Sequence, residues 1–236
     1  MAYRTSVTIN PTAGNSGSIT SQGIFGWQEV RRATALAGLG VDDYGATNIA
    51  TGHYVNVSAP IITGLISAGA LSFDLSSILS SKVVKAVELK LYAKGSNSAA
   101  LFGNPPEEVD LYLVKYDWGS GALATGDFIN LDTLNDPETY PILGRRNTTA
   151  WPLTEDISVG ASFLCNQEMI DYIQSLIGTA SPARIYIVDK RVLLDLRLDA
   201  LTRFEKGLEL IDGDAVEEAM HYTFDRDSAE LIITYE

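Results

Sequence analysis

Two histidines, one cysteine and one acid-rich polar segment are the residues with the most obvious chemical reach in this sequence. His53 heads a strand candidate after a glycine-punctuated stretch, and His221 lies beside Tyr222 in the penultimate strand candidate. Nothing near either completes an acid–base set, so both are expected to be structural or exposed. Cys165 sits in "SFLCNQEM" at the start of a helix, where a helix N-terminus could lower a thiol pKa. No protease signature surrounds it, and an inert, packed thiol is the expectation. One cysteine and two distant histidines do not make a zinc site.

A hard cation would be better served. "GDFINLDTLNDPE" places Asp127, Asp132 and Asp136 in one loop together with Asn135 and Glu138, an oxygen-rich set of the kind calcium takes. The spacing is not that of an EF-hand, and Asp and Asn are also the ordinary currency of turns, which is the reading the residues favour. The nucleophile-elbow pattern G-x-S-x-G does not occur, and "GSGALATG" has the glycines of a P-loop without its Lys and Ser/Thr. Two carboxylates across a cleft would suit glycoside hydrolysis, but 30 acids single out no pair. Catalytic residues are therefore assigned to no position. Trp27, Trp118 and Trp151 fall at strand ends or in loops; Trp118 and Trp151 are the candidates for stacking on a glycan.

The elements that must position these residues are strands. Val87, Leu89 and Leu91 alternate with Glu88, Lys90 and Tyr92, and in "EVDLYLVKYDW" Val109, Leu111 and Leu113 oppose Asp110, Tyr112 and Val114. Strands are also expected at 27–35, on both sides of Pro60, at 183–199, and at the C-terminus, where "FDRDSAE" reads as a hairpin turn. The segment 36–52 reads as a loop, and 119–153 as a long loop with its own packing or a function. One helix is expected at 166–178, with Met169, Ile170, Ile173, Leu176 and Ile177 as its apolar stripe, Asn166 as cap and Gly178 as terminator. Antiparallel strands without a βαβ rhythm predict an all-β, antiparallel β-sandwich of 24–236, preceded by a polar N-terminal arm of 1–23.

Bulk properties narrow the function. Thirty acids against 17 bases give a formal charge of −13, which repels phosphate backbones and argues against nucleic-acid binding. No apolar run approaches the roughly 20 residues that span a bilayer, so no membrane partner is expected. The chain begins with Met and shows no apolar leader, so synthesis in the cytoplasm is expected.

In order, "LSFDLSSI", "VVKAVELKLYAKG", "VDLYLVKYDWGSG", "MIDYIQSLI", "ARIYIVDKR" and "AELIITYE" form a pattern that resembles jelly-roll modules of the DNRLRE-like and carbohydrate-binding-module-like type. Such modules recur in bacteriophage virion proteins and bacterial surface proteins. The resemblance implies a jelly roll without enzymatic activity, made in a host cytoplasm and assembled into a virion. It further implies a capsid decoration protein, or otherwise a tail or fibre component or a glycan-binding adhesin module. Its partners would be a major capsid protein or other virion proteins and copies of itself, as in a trimer. Arg4, Phe25, Trp27 and Trp151 are the candidate interface anchors, with the arm and the 119–153 loop as docking elements. No cofactor is expected unless the Asp127, Asp132 and Asp136 loop takes calcium.

Overall fold

The computed structural model describes residues 4–23, 39–42, 48–58, 61–100, 110–119, 122–124, 127, 129–147, 160–194 and 216–236. Among them the chain is all-β, as its alternation predicts. Strands β1 (Thr5–Ile9), β2 (Gly17–Gly23), β3 (Leu39–Asp42), β4 (Asn48–Ser58), β5 (Ile61–Phe73), β6 (Val84–Ala100) and β7 (Asp110–Lys115) precede helix α1 (Leu131–Leu134). Then follow β8 (Ile142–Asn147), β9 (Gly160–Cys165), α2 (Gln167–Leu176), β10 (Ala183–Asp189), α3 (Lys190–Leu193), β11 (Val216–Asp225) and β12 (Glu230–Tyr235). The strands form one curled antiparallel sheet. Its pairings run β6–β11–β4–β5–β10–β7–β8–β9 and return to β6 through the β9–β6 ladder.

Strand β5 is where the sheet divides. On one edge β2 covers Gly64 to Ala70. On the other, β4 pairs with Ile61 to Ser67 and β10 with Gly69 to Phe73, so β4 and β10 follow one another along a single edge. Beyond that meeting point β4 continues beside β11, and β10 continues beside β7.

Period-two alternation sorts the apolar residues into two clusters. Leu111 and Leu113 of β7 and Ile185 and Ile187 of β10 join Leu89, Leu91, Phe224, Leu231, Ile233 and α2 in the larger core. Tyr112, Val114, Tyr186 and Val188, on the opposite face of the same strands, join Trp118, Leu131, Leu134, Val192 and Leu193 in a second. Both faces of β10 are therefore covered, and all seven of its residues are buried. Each such Leu, Ile or Phe contributes about 1.5–3 kcal/mol by leaving water. Helix α2 keeps the predicted cap, with Asn166 Oδ1 accepting from Met169 N–H, and buries Met169 and Ile173 along with Tyr172. Gly178 ends the turn at φ 81°, and a Cβ there would meet Ser80 Cβ at 2.6 Å.

Several expectations are corrected. The polar residues of 1–23 do not form a separate arm: β1 pairs with β12, and β2 with β5 and β3, because "TSVTI" and "GSITS" have the β-branched, small-residue pattern of strands despite their polarity. The stretch 36–52 contains β3 and the start of β4 rather than loop alone. Residues 225–229 are not a hairpin turn. Both β11 and β12 run antiparallel to β6, hence parallel to each other, and the turn steps the chain from one to the next. Strand β10 stops at Asp189, whose carboxylate caps α3, and so does not extend to 199. The strand expected at 27–35 lies outside the described residues.

Candidate functional site

Trp118 does not offer its ring to a glycan. Only 7% exposed, it stacks on Tyr186 with centroids 5.6 Å apart, and the Arg184 guanidinium lies 5.5 Å from its centre. The reason is positional: Trp118 follows β7 directly, so its side chain folds back over the outward face of β10. Tyr116 joins the same group, 4.6 Å from Tyr186 and 5.9 Å from Tyr140. Burial, with Asp127 adding its charge, pushes the Tyr116 hydroxyl up to about 12. Burial raises Tyr186 as well, and its hydroxyl donates to the Asp127 carbonyl at 2.6 Å. The described part of the 119–153 loop is thus a lid on its own sheet, with Leu131 and Leu134 buried beneath it. The segment is not loop alone, since it contains α1 and β8.

Arg184 projects from β10 into this layer, 6% exposed, and its Nη1 donates to Asp117 Oδ1. Asp117 is 70% exposed and also accepts from Gly119 N–H. Lys190 pairs with Asp110 at 3.1 Å and lies 5.9 Å from the Tyr112 ring; the Asp110 carboxylate raises its pKa.

The second polar constellation sits where β4 and β10 part. His53 Nδ1 and Asp189 Oδ2 lie 2.6 Å apart, with side chains 0% and 1% exposed. Asp189 Oδ1 accepts from Arg191 N–H at 2.8 Å, and Thr51 Oγ1 donates to the Ile187 carbonyl at 2.8 Å. These bonds tie the two diverging strands together away from solvent. His53 is accordingly a structural histidine; the side chain of His221 lies outside the described residues.

Cys165 ends β9 against the core, and burial pushes its thiol up to about 11. Its place before α2 does not lower the pKa. The calcium candidates serve turns. Asp127 Oδ2 accepts from Ala124 N–H, and Asp136 accepts from Glu138 N–H and Thr139 Oγ1, which holds its pKa below the usual range. Asp132 stands in the first turn of α1, under the Asn130 cap. Among the described residues no three metal-binding side chains converge. Arg4 is exposed immediately before β1. Phe25, Trp27 and Trp151 lie outside the described residues.

Arg184, Tyr186 and Asp189 were not singled out from the sequence, although "ARIYIVDK" carried a signal. A strand with apolar residues at one parity and Arg, Tyr and Val at the other has two buried faces. Neither a protein-family model nor a curated protein matches the chain.

Proposed function

We propose that this chain is a non-enzymatic structural protein of a tailed-bacteriophage virion, with jelly-roll architecture, that decorates the capsid surface. The observation that supports this reading is how the reactive side chains are used. His53 and Asp189 join two strands in the core, Cys165 is a half-buried thiol packed against it, and Asp127 and Asp136 hold backbone N–H groups in turns. The sheet they belong to is covered on both faces of β10. Its charge of −13 suits the outer surface of a particle better than its DNA-filled interior. Stable docking needs a contact of about 1,600 Å² in total. Arg4, beside the terminal strand β1, is one anchor that the fold leaves available for it.

The test is co-sedimentation of the purified protein with phage heads, paired with light scattering of the free protein. Saturable binding at a fixed ratio to the major capsid protein is the expected result. Failure to bind heads, together with binding on a glycan array, would replace decoration by the adhesin reading.

A further inference from the structure

We propose that Ser72, Arg184 and Trp118 form a binding pocket for a small carboxylate. Ser72 Oγ, Arg184 Nε and Trp118 Nε1 are buried and have no hydrogen-bond partner among the described residues. The three belong to one place. Ser72 and Arg184 are direct cross-strand neighbours on β5 and β10, and the Arg184 guanidinium lies over the Trp118 ring. Buried polar groups are nearly always paired in folded proteins, so three unpaired groups on one face of neighbouring residues point to a missing acceptor.

The chemistry of the set selects the acceptor. Arg and the indole N–H can only donate, and the serine hydroxyl can donate as well. A water molecule must find acceptors for its own two hydrogens, whereas a carboxylate only accepts and matches the planar edge of a guanidinium. Asp117 already engages Nη1, but that carboxylate is largely exposed, and it leaves the buried Nε unmet.

The surroundings hold the pocket in shape. Ser72 N–H donates to Ser16 Oγ at 2.9 Å and its carbonyl accepts from Thr12 N–H at 2.7 Å, so the backbone is fixed and the hydroxyl is left for a ligand. The cover is the segment Tyr116 to Gly119, whose Asp117 and Gly119 are exposed and whose last residue adopts φ 89°.

Formate is the probe. The indole ¹H–¹⁵N resonance of Trp118, assigned by its loss in Trp118→Phe, is followed during titration with sodium formate and, as control, sodium chloride at matched ionic strength. Thermal melting is recorded on the same samples. The expected result is a saturable shift of that resonance and a rise in Tm with formate beyond the chloride control. Trp118→Phe keeps an aromatic ring but deletes the donor together with the pyrrole half of the indole, and is expected to weaken the Tm response about tenfold in apparent Kd. Ser72→Ala weakens it in the same direction, and if that variant fails to fold, the wild-type titration and Trp118→Phe still decide. An unmoved Trp118 resonance, equal melting in both salts, or a crystal grown from formate with only water at Arg184 Nε would overturn the proposal.

Discussion

Replacing Asp189 by alanine should be among the most damaging single changes available in the described residues. Its two carboxylate oxygens do separate work: Oδ2 meets His53 at 2.6 Å and Oδ1 caps α3 through Arg191 N–H at 2.8 Å. Leaving a buried hydrogen-bonding group without its partner costs about 1–3 kcal/mol, and losing a helix cap typically costs about 1 kcal/mol. The sum is about 3 kcal/mol. A chain of this size shifts about 2–4 °C in Tm per kcal/mol, so the expected loss is about 6–12 °C. Asp189→Asn separates the two contributions. Asparagine caps as well as aspartate but offers His53 an amide, so it should cost about 1–2 kcal/mol and fall between wild type and Asp189→Ala. Thermal and urea unfolding followed by circular dichroism give both numbers. A loss below about 0.5 kcal/mol for Asp189→Ala, the usual range for an indifferent surface change, would refute the claim that this pair ties β4 to β10.

Other perturbations have equally definite outcomes. Cys165, with its thiol pushed up to about 11, should resist a thiol-reactive disulfide reagent at pH 8 in the folded protein and react promptly once unfolded in urea. Rapid reaction in the native state would contradict its burial. Tyr116 and Tyr172 are both raised to about 12, chiefly by burial, so folding favours their neutral form. Their contribution to stability is whole below pH 10 and is lost as pH climbs toward 12, which a phenolate-absorbance titration should register as late ionisation coincident with unfolding. Titration of all tyrosines near pH 10 with the fold intact would be incompatible with this. Gly144→Ala should destabilise by roughly 1–3 kcal/mol, because its Cβ would stand 2.7 Å from the Leu164 carbonyl oxygen where β8 meets β9. Unchanged melting of that variant would show that the two strands lie farther apart.

The parts of the fold legible in the sequence were those governed by local periodicity. The alternation in 87–91 puts Val87, Leu89 and Leu91 in the larger core, that in 110–114 sorts β7 between two covered faces, and of the helix stripe Met169, Ile173 and Ile177 are buried while Ile170 and Leu176 are partly so. Strands β1 and β2 were harder, since Ser, Thr and Gly are shared by loops and by strands that pack against other backbones. The turn at 225–229 has the composition of a hairpin. What makes it a step instead is the length of β6, which accepts both β11 and β12 along its course. The polar sites were least legible. His53 and Asp189 lie far apart in the chain and meet only because β4 and β10 share one edge of β5. Trp118 reads as a loop tryptophan until β10 proves to be buried on its second face.

The proposal of a capsid decoration protein is tested most directly by quantitative mass spectrometry of virions purified from the cells that produce this chain. The account predicts the protein in intact particles at a fixed, high copy number relative to the major capsid protein. Its absence from those particles, with the protein recovered only in the unassembled fraction, would contradict it.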